Sequence, residues 1–199
     1  MSIDTLSQSQ TLRNLELMIE YKNLISSLNC PSGCYVMPTD DLHNWHGVMF
    51  IHRGYYKEAV FKFNLLIPNT YPESPPVVKF VSQVFHPLVD SNGILSLGAL
   101  DSHWRPRQDY ICHVLHYIKD IFKDSSIKSL KEAYCPHAEA LQMYQNERST
   151  FIKLASDCAQ ISSQQSILFE QDQSIINFKP LDDGEFVNIR LQLHKSVGL

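Results

Sequence analysis

The chain has 199 residues, of which 44% are hydrophobic, and a formal net charge of -4 at pH 7. This length suits one domain with short extensions, and the apolar content is enough for a packed core. The acidic balance argues against nucleic-acid binding, which favours a basic face, and no apolar run reaches the roughly 18 residues of a membrane span.

The cysteines are odd in number and irregularly spaced, at Cys30, Cys34, Cys112, Cys135 and Cys158. This pattern predicts reduced thiols in the cytoplasm, not a disulfide framework. Cys30 and Cys34 lack a second matching pair, and the nine histidines do not cluster at ligand spacing. We therefore expect no metal site and no cofactor. The first residues also lack the basic and apolar regions of a secretory signal.

The first segment predicts a helix. Residues 1–9 are polar and are predicted to be disordered. The helix is predicted from about Thr11 to the Pro and Gly residues at 31–33. Its apolar positions recur at helical spacing, as Leu12, Leu15, Met18, Tyr21 or Lys22, Ile25 and Leu28. We interpret this stripe as the face that docks on the domain, in preference to a coiled-coil surface for a partner.

Strands are predicted next, at 35–37, 45–52 and 59–67, where β-branched and aromatic residues are frequent. The proline-rich stretch 68–76 excludes a helix, and a fourth strand follows at 77–80. Successive strands without intervening helices predict an antiparallel meander. An SH3 ligand or a linker is the less favoured interpretation of 68–76, because neither needs flanking strands.

Helices are predicted in the second half. Asp109 is expected to cap a helix over 110–122, with an apolar face of Val114, Leu115, Ile118, Ile121 and Phe122. Cys112 and His113 are neighbours on this helix and should point about 100° apart, so Cys112 is interpreted as core packing.

The remaining chain gives weaker signals. A helix is predicted over 137–154, with 159 as an alternative end, and a polar loop over 160–173. Residues 182–194 fit either a helix or a strand, because Val187, Ile189, Leu191 and Leu193 alternate. The predicted organisation is therefore a disordered 1–9, a domain over 10–159 and an extension over 160–199.

The segment 85–106 carries the most informative motifs. They are His86-Pro87, Asn92-Gly93, Ser96-Leu97 and Trp104-Arg105-Pro106, preceded by Tyr71-Pro72 and Pro75-Pro76. Together they resemble the ubiquitin-conjugating enzymes, whose segment reads His-Pro-Asn, a loop ending in Gly, a nucleophilic Cys followed by Leu, and Trp-x-Pro. The likeness covers about residues 10–155. It implies an α+β fold, with a four-stranded antiparallel meander flanked by helices and followed by a C-terminal extension.

Two groups that the family's chemistry needs are replaced in this chain. Ser96 stands at the nucleophilic Cys, and Leu88 stands at the Asn. A hydroxyl is a far weaker acid than a thiol of pKa ~8.5 and needs a positioned base. Loss of one oxyanion donor such as the Asn typically costs about 100-fold or more. The site of His86, Leu88 and Ser96 is therefore predicted to be degenerate and non-catalytic, with a structural His86.

A closer resemblance is to the fused toes / Akt-interacting protein family, whose insect members are called crossbronx. It lies in residues 47–51, 60–63, 67–69, 71–72 and 84–90, and in the extension at 175–183. That family consists of inactive conjugating-enzyme variants. The resemblance implies that this chain is an adaptor that binds Hook-type coiled coils and FHIP, in a complex that acts in vesicle transport on microtubules. The segment around Ser96 departs from the family's more charged version.

Two other functions stay open. The alternative is a variant subunit that pairs with an active conjugating enzyme and binds ubiquitin non-covalently. Catalysis by Ser96 with His86, His103 or His113 as base is disfavoured, because no Gly-x-Ser-x-Gly elbow is present.

An adaptor predicts an exposed apolar patch. The candidates are Phe186, Ile189 and Leu193 in the extension and Tyr55-Tyr56 at the hairpin. Packing against the domain is the favoured interpretation of Phe186.

Overall fold

The computed structural model describes residues 3–26, 29–170 and 174–197. One antiparallel sheet lies at its centre, with the strands in the order β1 (Cys34–Pro38), β2 (Asn44–Phe50), β3 (Val60–Leu66) and β4 (Val77–Phe80). Each strand pairs with its neighbour in the sequence, and no helix stands between successive strands. The predicted α+β class and meander sheet are confirmed.

Helices make up much of the remaining described chain. Those that the structure describes are α1 (Ile3–Ile25), α2 (Ala99–Ser102), α3 (Ile111–Asp120), α4 (Asp124–Lys128), α5 (Ala138–Asn146), α6 (Arg148–Ser162), α7 (Gln165–Leu168) and α8 (Asp183–Val197), with a 3-10 turn at Glu132–Tyr134. Within the described ranges, none of the helices has the length and apolarity to cross a membrane.

The core lies between the inner face of the sheet and helices α3, α5 and α6. The face predicted for 110–122 is buried in full, which confirms its assignment. Gly47 of β2 lies opposite Phe63 of β3. A Cβ at Gly47 would lie 2.3 Å from the Phe63 ring, so the absence of a side chain there lets the aromatic ring fill the core.

Helix α1 differs from its prediction in two ways. It begins at Ile3, so residues 3–9 are helical and not disordered; without Pro or Gly, a helix extends through polar residues. Its docking face is also different. The helix packs through Leu17, Tyr21 and Leu24. The predicted positions Leu12, Leu15, Met18 and Ile25 are 51–68% exposed, and Leu28 lies outside the described residues.

The predicted helix over 137–154 is two helices. Glu147 leaves helical geometry, with φ -130° and ψ 54°, and separates α5 from α6. The break places Arg148 over the Tyr144 ring, 4.5 Å from its centroid, and 2.6 Å from the Asp124 carboxylate. No Pro or Gly marks the break in the sequence, and the bond to Asp124 joins residues 24 positions apart.

The polar region after residue 159 was predicted as a loop, but α6 continues to Ser162 and α7 follows at Gln165–Leu168. The Ser162 hydroxyl accepts a hydrogen bond from the Val60 N–H at 3.0 Å, which ties the end of α6 to β3. Residues 171–173 of the predicted loop lie outside the described residues.

Asp109 does not cap α3 as predicted. Its carboxylate accepts bonds from the Arg105 backbone and guanidinium at 2.7–3.1 Å. The N–H groups at the start of α3 are satisfied by other side chains, since His113 Nδ1 accepts from Tyr110 and Glu20 accepts from Ile111. The bond from Arg105 holds the pKa of Asp109 at about 2.

Residues 183–197 form a helix, which decides the open choice between helix and strand. Its apolar residues Phe186, Val187, Ile189 and Leu191 do not share one helical face. All four are exposed. Packing was the favoured interpretation of Phe186, and this was wrong: its side chain is 56% exposed. The side chain of Leu193 lies outside the described part of the helix.

Candidate functional site

The loop that carries Ser96 is held in one shape by its backbone. The Ser96 N–H donates to Leu88 O at 2.8 Å, and Val89 pairs with Leu95. The Asp90 carboxylate accepts from the Asn92 and Ile94 N–H groups. Gly93 has φ +80°, and a Cβ there would lie 2.5 Å from Phe80 O. The Asn-Gly turn therefore fits closely against β4.

His86 is buried below this loop. Its Nδ1 accepts from the Leu88 N–H at 3.0 Å, and its Nε2 lies 3.0 Å from Ile121 O. A carbonyl only accepts, so Nε2 carries the proton and donates. Burial lowers the pKa of His86 to about 4. Both ring nitrogens are engaged inside the protein, so His86 is not positioned to take a proton from Ser96.

Leu88 is part of the hydrophobic core. Its side chain is 1% exposed and belongs to the cluster that includes Val89, Leu95 and Leu97. The side chain after His86-Pro87 therefore lies inside the domain, where it offers no hydrogen-bond donor to a reacting group.

Ser96 is half-buried, and its recorded partners are backbone groups. Besides the bond to Leu88, its carbonyl accepts from the Tyr117 hydroxyl at 3.2 Å. Within the described ranges, no side chain forms a hydrogen bond with the Ser96 hydroxyl. His103 Nδ1 lies 2.9 Å from Ala99 O, and His113 Nδ1 accepts from Tyr110. Thus the three candidate bases all have other partners.

The two proline motifs meet in space. The Trp104 indole N–H donates to Pro72 O at 2.7 Å, and the Trp104 ring lies 6.3 Å from the Tyr71 ring. These contacts connect the Trp-x-Pro segment to the proline-rich stretch. The Tyr71-Pro72 and Trp104-Arg105-Pro106 motifs therefore form one structural unit.

Glu20 is a central residue that the sequence analysis missed. It lies on α1, accepts from the Tyr71 hydroxyl at 2.5 Å and accepts from the Ile111 N–H at 2.9 Å. Burial raises its pKa above the usual range. One carboxylate thus joins α1, the proline-rich stretch and α3. An acidic residue between Leu17 and Leu24 on the docking face was the available signal.

The cysteines do not form a reactive centre with histidine. Cys112 Sγ lies 3.9 Å from His113 Nδ1, which is closer than the sequence analysis predicted. That nitrogen already accepts from Tyr110, and burial raises the pKa of Cys112. Over the described ranges, all five cysteines are free thiols and no group of residues has metal-ligand geometry.

The hairpin tyrosines are not a free surface. Tyr56 is fully buried, and its hydroxyl donates to Phe85 O. Tyr55 is half-buried and donates to Asp124 at 2.9 Å, while Arg148 donates to the Tyr55 hydroxyl at 2.7 Å. This candidate patch is therefore a structural contact between the hairpin and the helices.

The outward side of α1 is the extended apolar surface. It carries Leu12, Leu15, Met18, Ile19 and Ile25, each more than half exposed. We call this set the α1 stripe. A groove of about 480 Å³ runs beside it, lined by Ile19, Leu24, Pro72 and Tyr110 with Glu16 and Arg107. The spacing of Leu15, Met18, Lys22 and Ile25 is that of a coiled-coil seam.

The sequence was compared with protein-family models and with curated proteins, and both comparisons found similar proteins. A family model described as ubiquitin-conjugating enzyme matches residues 16–159. The chain is 30% identical to a crossbronx homolog of Culex quinquefasciatus over 86% of this chain and 76% of the relative. It is 35% identical to the AKT-interacting protein of Danio rerio over 74% of this chain and 50% of the relative. The similarity agrees with the motifs of residues 71–106.

Proposed function

Because the chain belongs to the ubiquitin-conjugating enzyme family and is related to crossbronx and AKT-interacting protein, we propose that it is a non-catalytic adaptor. The observation that supports the loss of catalysis is the pair of replacements at the site. Ser96 has no base among its described partners, and Leu88 is buried in the core. Acyl transfer to a hydroxyl needs both a base and an oxyanion donor.

A thioester assay tests the lack of catalysis. Wild type, Ser96→Ala and Ser96→Cys are each incubated with ubiquitin-activating enzyme, ATP and ubiquitin. We expect no adduct on wild type under reducing or non-reducing conditions. An adduct on wild type that is lost in Ser96→Ala would identify Ser96 as a nucleophile. One that persists in Ser96→Ala but is lost under reducing conditions would identify a cysteine. Either result would contradict the proposal.

The adaptor role is supported by the α1 stripe. An exposed apolar helix face of this length is typical of a protein-binding surface. Its seam-like spacing suits a second amphipathic helix. We propose Hook-type coiled coils as the partner of this face and FHIP as a further subunit. Any association with vesicles or microtubules in the cytoplasm would then be indirect.

Binding to a Hook-type coiled-coil protein is expected to depend on the α1 stripe. Leu15→Glu with Met18→Glu should weaken the affinity at least about tenfold, because each change places a charge in a desolvated apolar contact. Ile152→Glu, at an isolated exposed position on α6, is the control and should bind like wild type. Isothermal titration with purified proteins measures both. Equal affinities for the two variants would show that the α1 stripe is not part of the interface.

A further inference from the structure

The outer face of the sheet is covered, although no helix layer lies there among the described elements. Its side chains alternate with the core residues of β1, β2 and β3, as Tyr35, His46, Val48, Phe50 and Lys62. An open antiparallel face is normally solvated and polar. Here Val48 is 2% exposed and Lys62 is 7% exposed. Something must exclude water from them.

Residues 174–178 provide this cover, and we call them the strap. The Ile175 N–H donates to His46 Nδ1 at 2.9 Å, which requires a neutral imidazole at that nitrogen. The Phe178 ring packs edge-on against Phe50, with centroids 6.2 Å apart, and lies 5.8 Å from Lys62 Nζ. The strap therefore runs along β2 from His46 to Phe50.

The strap binds as an extended peptide does. Ser174, Ile176 and Phe178 are half-buried, whereas Ile175 and Asn177 are exposed, which is the period of two of a strand. Ile176 and Phe178 form one wall of a cavity of about 500 Å³ whose other walls include Val36, Val48 and Phe50. One backbone-to-side-chain hydrogen bond and the packing of alternate side chains therefore hold the strap on the sheet face.

We propose that the outer sheet face is a peptide-binding groove and that the strap closes it as an autoinhibitory contact. The occupant that competes with the strap is an extended segment of another protein with apolar side chains at i and i+2, as Ile176 and Phe178 are placed here. A covalently linked segment acts at a high effective concentration, so the groove stays closed until the strap is displaced. This groove is separate from the α1 stripe.

The test compares the full-length protein with two double variants. Ile176→Ser with Phe178→Ser removes the side chains that line the cavity, and Asn177→Ser with Lys179→Ser changes outward positions as a matched control. Amide hydrogen exchange at Ile175 should accelerate at least about tenfold in the first variant and stay within about twofold of wild type in the second. Phe178→Ala is the milder alternative if the first double variant does not fold.

A peptide of residues 174–181, SIINFKPL, is then added as the probe, and the shifts of the Val48 and Phe50 amides are followed by NMR. The variant lacking the cavity side chains should bind it at least about tenfold more tightly than wild type or the control. Equal exchange at Ile175 in the two double variants would contradict the proposal that Ile176 and Phe178 hold the strap on the sheet. Equal peptide binding to all proteins would contradict the proposal that the strap closes a peptide-binding groove. The absence of binding to the variant with Ile176→Ser and Phe178→Ser would contradict it as well.

Discussion

Replacing Leu88 by asparagine is expected to lower the free energy of unfolding by about 3–5 kcal/mol. Leu88 is 1% exposed within the core cluster. Loss of a buried leucine costs about 2–5 kcal/mol, and a buried amide without partners adds a desolvation penalty of about 1–3 kcal/mol, reduced by the volume that the amide still fills. Urea unfolding monitored by circular dichroism measures the change.

Leu12→Asn is the matched control for this substitution, because Leu12 is 63% exposed on α1. The control should lose less than about 1 kcal/mol, mainly through helix propensity. A loss at Leu88 no larger than at Leu12 would mean that the side chain at position 88 reaches the site surface. If the larger loss is found, conjugating chemistry cannot be restored by exchanging two residues, because the Asn position has become part of the core.

Acidification from pH 7 to pH 4 is expected to cost about 3 kcal/mol of stability through His86. Burial lowers the folded-state pKa of His86 to about 4, whereas an unfolded histidine titrates near ~6.5. Between these values the unfolded chain binds a proton that the folded protein does not, so stability rises with pH. The contribution is therefore complete above about pH 6.5 and is lost progressively as the pH falls towards 4.

His86→Asn isolates this effect. The Asn side-chain oxygen can still accept from the Leu88 N–H, as His86 Nδ1 does, but it does not titrate. The variant should be less stable at pH 7, and its stability should depend less on pH between 7 and 4. Free energies of unfolding at several pH values give the difference between the two proteins, in which other titrating groups cancel. An unchanged pH dependence would contradict a buried, neutral His86.

Several features follow from the sequence because local chemistry decides them. The β-branched and aromatic runs predicted the four strands, and the lack of intervening helices predicted a meander. The apolar face predicted for 110–122 was also predictable: Val114, Leu115 and Ile118 are buried in α3, and Ile121 and Phe122 are buried just after it. The motifs of residues 71–106 also led to the prediction of a degenerate site with Ser96 and Leu88, which the thioester assay tests.

Other features were decided by the tertiary structure. Helix α1 has apolar residues on two sides, so periodicity alone could not choose Leu17 and Leu24 over Leu12 and Leu15 as the docking face. The choice depends on Glu20, which must reach both Tyr71 and Ile111.

The break at Glu147 and the cover over the sheet have the same origin. Arg148 forms a hydrogen bond with Asp124, 24 residues away in the sequence. Ile175 forms one with His46, 129 residues away. Contacts between residues so far apart leave no local pattern. The sequence by itself determined the fold and predicted the replacements at the site. Long-range packing determined which surfaces are covered and which remain open to a partner.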